Sequence, residues 1–158
     1  MTPHEAHLFL SRYKDLEREK ARINGSYQDL QEKLLSQGSG TDYSTPRVQT
    51  GVKKDALERR VIKYIAEEEA LRAAWFDVSE KALEAWEKIR DTLAQLFPGD
   101  DLRGDFLQMA YLTEERPGEI RRAFLYSGDY EKLKREALKE FAKRYTEARE
   151  EKAATSLW

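Results

Sequence analysis

The sequence predicts an all-α protein: a long antiparallel coiled-coil hairpin followed by a small helix-turn-helix bundle. Charged residues make up 37% of the chain and the mean hydropathy is −0.82, a composition that suits long, thin helices. Within residues 1–97, two stretches place apolar residues at alternating spacings of four and three, the repeat of a coiled coil. Residues 98–146 instead carry short helical patterns separated by turn residues.

The first predicted helix begins at Thr2, where Pro3 suits the first helical position and Glu5 completes a capping box. It is predicted to end near Leu35. Gly25 weakens this helix locally, by roughly 1 kcal/mol, without interrupting the repeat. The residues of the repeat, the first seam, are Phe9, Tyr13, Leu16, Lys20, Ile23, Tyr27, Leu30 and Leu34.

Residues 37–52 are rich in Gly, Ser, Thr and Pro and are predicted to form a flexible loop. Asp55 is a plausible N-cap for a second helix that reaches Phe97. Pro98 and Gly99 then end the hairpin. The residues of the second repeat, the second seam, are Leu57, Val61, Tyr64, Glu68, Leu71, Trp75, Val78, Ala82, Ala85, Ile89, Thr92 and Leu96.

Each seam contains one charged residue in its interior, Lys20 in the first and Glu68 in the second. An antiparallel hairpin brings the two to nearly the same level. Such a pair fixes register more than it adds stability, since desolvation offsets most of the Coulomb gain. In the alternative, both side chains reach solvent independently. Apolar residues beside the second seam leave surface for packing on the C-terminal unit or for a dimer: Ile62, Ile65, Ala66, Phe76 and Trp86.

The predicted helix-turn-helix domain covers residues 98–146. Asp100 or Asp101 caps its first helix, and Pro117 begins its second. The chain is predicted to break at Leu125-Tyr126, with Ser127 as the N-cap of a third helix. The inward residues are Leu102, Phe106, Met109, Ala110, Ile120, Ala123, Phe124, Tyr130, Leu133, Ala137, Leu138 and Phe141. Residues 147–158 are predicted to be a C-terminal tail that stays helical for a turn or two beyond Tyr145 and then frays.

Charge supports DNA contact by the last two of these helices, which have the spacing of the minimal DNA-reading unit. Residues 116–144 contain nine Lys or Arg against five acids, a local charge of +4, whereas the whole chain carries −2. The predicted DNA contacts are Arg121, Arg122, Ser127, Tyr130, Lys132, Lys134, Arg135 and Lys139. Lys132, Arg135 and Tyr130 are expected to face the groove, and the other cations to hold phosphates.

Two alternatives remain at the sequence level. The cations also fit a solvated face with pairs such as Glu131–Arg135. Asp129 and Glu131, in the first turn of the third helix, repel phosphates and leave open a protein-binding role.

Motifs for catalysis and cofactor binding are missing from the sequence. It has no cysteine, no glycine-rich phosphate loop and no Gly-x-Ser-x-Gly. His4 and His7 are its two histidines, and without a third ligand they do not indicate a metal site. We therefore expect no enzyme activity, cofactor or metal. No run approaches the ~18 apolar residues of a membrane span, so no membrane contact and a cytoplasmic location are expected.

The order of these parts resembles the RinA/ArpU-type late transcription regulators of phages and prophages of Gram-positive bacteria. The matching segments are residues 56–62 after the loop, residues 106–112 before the motif, and residues 120–138. The resemblance implies a C-terminal helix-turn-helix similar to sigma-factor region 4 that binds double-stranded DNA. It also implies a hairpin that makes a homodimer, another homo-oligomer or a contact with host RNA polymerase.

A different class of function also fits the sequence. The near-neutral net charge, the two long seams and the acidic first turn suit a non-enzymatic helical scaffold or adaptor. Such a protein would bind a phage or host protein instead of DNA.

Overall fold

The computed structural model describes residues 1–38, 52–124 and 129–155. The helices are α1 (Pro3–Gly38), α2 (Val52–Leu96), α3 (Leu102–Leu112), α4 (Pro117–Ala123) and α5 (Tyr130–Thr155). The described residues contain no strand, so the predicted all-α class is confirmed. Within these ranges, no helix combines the length and the apolar character needed to cross a bilayer.

Two compact units divide the chain differently from the predicted domains. The first unit comprises Met1–Leu16 and Lys81–Trp158, and the second comprises Glu17–Glu80. The predicted boundary at residues 97–98 therefore falls inside the first unit. The start of α1 belongs with the C-terminal helices because its buried residues, Ala6 and Leu10, share one core with them.

The capping box predicted at the start of α1 is present. Thr2 Oγ1 accepts a hydrogen bond from the Glu5 N–H at 3.2 Å, and Glu5 Oε2 accepts from the Thr2 N–H at 2.6 Å. These reciprocal bonds confirm the capping box. The Thr2 N–H, followed by the Thr2 hydroxyl, lowers the pKa of Glu5.

Most seam positions are at least partly covered, although the two fully buried residues of α1, Ala6 and Leu10, lie beside the first seam. In α1 the residues of the first seam from Phe9 to Leu30 are half-buried, and in α2 burial of the second seam is greatest between Val78 and Leu96. Within the second unit, Tyr27 Oη donates to Glu68 Oε1 at 3.1 Å, so the two helical segments touch there. The pairing of the complete helices as a coiled-coil hairpin stays a prediction.

The predicted register pair of Lys20 and Glu68 does not form, because each residue has other partners. Lys20 Nζ lies 2.6 Å from Glu17 Oε1 on its own helix, and Glu68 Oε1 accepts from Tyr27 and from Arg72. Tyr27 comes one heptad after Lys20, and it is Tyr27 that stands at the level of Glu68. Lys20 therefore takes the nearest carboxylate, three residues away along α1.

The core of the first unit is aromatic. Phe141 of α5 is fully buried, and its ring centroid lies 6.0 Å from that of Phe9, 6.5 Å from Phe97 and 5.9 Å from Tyr145. Phe9 is on α1 and Phe97 directly follows α2. This cluster therefore fastens the start of α1 and the end of α2 to α5.

Helix α3 begins where the sequence indicates. Gly99 has a positive φ of 81° after α2, and Asp101 is the N-cap, with its carboxylate accepting from the Arg103 N–H at 3.0 Å. Leu102, predicted to face inward, is instead 52% exposed because the inward face of α3 begins at Gly104 and Phe106.

Helix α5 differs from its prediction at both ends. It begins at Tyr130, where the Asp129 carbonyl accepts the first helical bond from the Leu133 N–H at 2.9 Å, so Asp129 takes the N-cap position. The predicted N-cap Ser127 and the break at Leu125-Tyr126 lie outside the described residues. Beyond Tyr145 the helix continues to Thr155, further than the turn or two predicted, because Tyr145 and Ala148 still pack against the core.

Candidate nucleic-acid interface

Helix α4 is held against α3 and α5 by a small apolar contact set. Ile120 is fully buried, and Phe106 of α3 meets Phe124 and Tyr130 edge to face, with centroids 5.8 and 5.5 Å apart. Pro117 starts α4, and Glu119 Oε2 accepts from the Arg116 N–H at 2.8 Å. Residues on α4 and on the first turns of α5 are thereby fixed on one support.

Tyr130 belongs to that support and is not exposed for DNA contact. It is only 9% exposed, and burial followed by the nearby Glu131 raises the pKa of its phenol. Arg121 covers the outer side of the ring, with its guanidinium carbon 5.3 Å from the centroid. The inward position predicted for Tyr130 is therefore confirmed, and its ring packs beside Phe106 instead of lying on the exposed surface with the predicted cations. Its contact with Arg121 positions that arginine at the start of α5.

Exposed cations follow one face of α5. Lys132, Arg135, Lys139 and Lys143, here called the α5 basic stripe, have the spacing i, i+3, i+7 and i+11 and are all exposed. Two members have partners on the helix itself: Arg135 Nε donates to the Glu131 carbonyl at 3.3 Å, and Lys143 Nζ lies 3.9 Å from Glu147. The other two members, Lys132 and Lys139, point outward from the face of α5 opposite the core.

Helix α4 adds a second group of positive charge. Arg121 and Arg122 are exposed in its last turn, and Arg121 reaches Tyr130, the first residue of α5. Five of the eight predicted contacts are therefore exposed cations on α4 and α5: Arg121, Arg122, Lys132, Arg135 and Lys139. Lys134 is half-buried outside the stripe, and Ser127 lies outside the described residues.

Arg144 counts toward the local positive charge but has an internal role. Its Nη1 lies 2.9 Å from Asp101 Oδ2 and donates to the Leu96 carbonyl at 2.9 Å, and its Nε lies 2.8 Å from Glu140 Oε1. The guanidinium also stands 4.5 Å from the centroid of the Phe97 ring. Arg144 thus ties α5 to the α2–α3 connection. Of these contacts, only the pair with Glu140 is indicated by its i, i+4 spacing in the sequence.

The charge of Asp101 is maintained by the same arrangement. Burial raises the pKa of its carboxyl, but the Arg103 N–H and the Arg144 guanidinium outweigh this effect and hold the pKa below its usual value. Asp101 therefore remains an anion at neutral pH, both as helix cap and as partner of Arg144.

A second polar contact joins α1 to α3. His7 Nδ1 and Tyr111 Oη are 2.6 Å apart. Burial, followed by the positive charges of Lys134 and His4, lowers the pKa of His7, and burial raises the pKa of Tyr111. At neutral pH a neutral imidazole therefore accepts from the phenol O–H.

This contact predicts a pH dependence of stability. The pKa of His7 is lower in the folded chain than its ordinary 6.5, so the unfolded chain binds the proton more readily. Stability should fall as the pH drops below 6.5 and return as it rises above that value. We expect His7→Gln to flatten the pH dependence of the thermal midpoint between about pH 7.5 and 5.5. His4→Gln removes only a smaller cause of the lowered His7 pKa and should keep most of the slope. Equal slopes in the two variants would contradict the prediction.

Comparison with protein-family models, curated proteins and solved structures finds no match to this chain. In the described ranges, no three His, Cys, Asp or Glu side chains come together as a metal-ligand set.

Proposed function

We propose that the protein is a DNA-binding transcription regulator of the phage and prophage late-regulator type. In this proposal α4 and α5 contact double-stranded DNA, the protein acts in the cytoplasm of a bacterial host, and host RNA polymerase is a further partner. The observation that carries the proposal is the exposed positive surface of Arg121, Arg122, Lys132, Arg135 and Lys139 on two helices packed against α3. Cations on rigid neighbouring helices suit phosphate binding.

The charges also indicate which kind of contact dominates. Glu136 is exposed one turn from Lys132, and Glu131 lies in the first turn of α5. Acids there weaken direct reading of base edges, for which Arg, Asn and Gln are the usual side chains. We therefore expect phosphate contacts to supply most of the affinity, with a strong dependence on salt.

Fluorescence anisotropy with duplex DNA tests this proposal. For the wild-type protein, affinity should fall steeply between about 50 and 200 mM salt. Arg121→Ala/Arg122→Ala should raise Kd about tenfold at the lower salt concentration. The same change should reduce the slope of log K against log salt by about 2, because two phosphate contacts are lost.

A matched control is available on α1, where Arg22 and Lys33 are exposed. Arg22→Ala/Lys33→Ala removes the same charge from residues outside α4 and α5 and should leave both Kd and the salt slope within about twofold of wild type. Equal weakening by the two double variants would show that net charge alone attracts DNA. That result, or no binding at low salt, would reject the proposed interface.

A helical scaffold or adaptor that binds a phage or host protein is the second candidate. It is favoured by the apolar side chains exposed on α2, among them Ile62, Ile65 and Phe76. A stable protein complex that survives nuclease treatment, from a chain with no affinity for duplex DNA at low salt, would favour this candidate over the first.

A further inference from the structure

Helix α2 carries a second regular stripe in the unit Glu17–Glu80. It lies one residue beyond the second seam and keeps the same four-and-three spacing. Its apolar members are well exposed: Ile62 by 60%, Ile65 by 46% and Phe76 by 62%. The charged members are exposed as well. The stripe, here called the α2 outer stripe, consists of Glu58, Ile62, Ile65, Glu69, Arg72 and Phe76.

The order of charges along this stripe is self-complementary for antiparallel pairing. Glu58 lies seven residues before Ile65, and Arg72 lies seven residues after it. If two copies of α2 cross antiparallel at Ile65, Glu58 of each copy stands level with Arg72 of the other. Two-fold symmetry makes this ion pair twice.

Parallel pairing of the same stripe would be repulsive. It would place Glu58 beside Glu58, Glu69 beside Glu69 and Arg72 beside Arg72 of the second copy. Like charges facing each other across a helical interface are destabilising and select against that orientation. The sequence of charges therefore distinguishes the two orientations, although both would bury Ile62 and Ile65.

One end of the stripe opens into an apolar groove. The groove has a volume of about 390 Å³, and Phe76 forms one wall with Trp75 edge to face at 5.4 Å. Ile23 and Tyr27 of α1 and Leu71 of α2 complete the apolar lining. In the antiparallel arrangement, Leu57 of the second copy stands level with Ala73. An exposed leucine from that copy thus arrives at the level of the groove.

We propose that the α2 outer stripe is an isologous interface with a second copy of this chain, antiparallel and with Ile65 at the two-fold axis. The interface buries Ile62, Ile65 and Phe76 and is oriented by the two Glu58–Arg72 pairs. It lies on residues that take no part in the proposed DNA contact. Its test is therefore independent of DNA affinity.

Sedimentation equilibrium from micromolar to millimolar concentration provides the first test. The wild-type chain should reach twice the mass of one chain. Ile65→Glu should remain a monomer, because two carboxylates would meet at the axis. Leu102 on α3 is 52% exposed, against 46% for Ile65, and Leu102→Glu should dimerise like wild type. A monomeric wild-type chain at millimolar concentration, or a dimer unaffected by Ile65→Glu, would overturn the proposal.

Charge reversal tests the orientation. Glu58→Arg and Arg72→Glu should each raise the dimer dissociation constant about tenfold, because two symmetric pairs change sign together. The double variant should recover most of the loss. Arg72 also pairs with Glu68 of its own helix at 3.1 Å, and the double variant does not restore that contact. A recovered dimer dissociation constant therefore reports the Glu58–Arg72 pairing between copies. A double variant that does not recover would refute this pairing.

Cross-linking separates the two orientations directly, since the chain has no cysteine of its own. Under mild oxidation, Ile65→Cys should form a covalent dimer, as the two positions coincide at the axis. Glu58→Cys should not, because the two substituted positions lie about 21 Å apart along antiparallel helices. A covalent dimer of Glu58→Cys would indicate parallel pairing and would reject the proposed interface. Circular dichroism of each variant should match wild type.

Discussion

Leu10→Ala is expected to lower the free energy of unfolding of the first unit by about 2–5 kcal/mol. The Leu10 side chain is fully buried in the core shared by α1, α2, α3 and α5. Its truncation removes apolar contacts on every side and leaves a cavity that these packed helices can fill only in part. Urea unfolding followed by circular dichroism measures the change.

Leu8 supplies the matched control on the same helix. It is 55% exposed, so Leu8→Ala should change the unfolding free energy by less than about 0.5 kcal/mol. The comparison tests whether the first sixteen residues are structural members of the C-terminal unit. If both variants were as stable as wild type, the start of α1 would not be part of that core.

Gly104→Ala is expected to destabilise the first unit by about 1–3 kcal/mol. A Cβ at position 104 would lie 2.6 Å from Phe97 Cβ, which is too close for two carbon atoms that are not bonded. The obstructing atom is next to the backbone and cannot rotate away. Phe97 itself is held by the ring of Phe141 at 6.5 Å and by Arg144 at 4.5 Å, so α3 must move away from the end of α2.

Gly118→Ala is the control for this substitution. Gly118 is also helical, but a Cβ there would meet nothing within 4 Å. Alanine should therefore stabilise α4 by about 0.5–1 kcal/mol through its better helix propensity. Differential scanning calorimetry should then show midpoint shifts of opposite sign. Shifts of the same sign would mean that the close approach of α3 to Phe97 does not limit residue 104.

Much of the fold could be predicted because its signals are local. The Thr2–Glu5 capping box, the Gly99 turn and the Asp101 cap each depend on residues a few positions apart. The exposure of Lys132, Arg135 and Lys139 was predictable as well. It follows from the buried positions on the opposite face of the same helix.

Features that depend on distant partners escaped prediction. Periodicity identifies an apolar face but not the element that covers it, and Ala6 and Leu10 gave no sign that they pack with α5. The sequence assigns Tyr130 both to the inward face and to the DNA contacts, and only the position of Phe106 decides between the two. The Arg144 contacts with Leu96 and Asp101 likewise need the α2–α3 connection to be in place.

The first unit combines a segment before the second unit with a segment after it, and this fixes the order in which the two units can fold during synthesis. Phe9 is synthesised more than 100 residues before Phe141, against which it packs. The second unit is continuous in sequence and is complete much sooner. A nascent chain that stalls before α5 therefore keeps its aromatic side chains uncovered and becomes a substrate for chaperones and proteases. Only chains synthesised beyond α5 display the complete positive surface of α4 and α5.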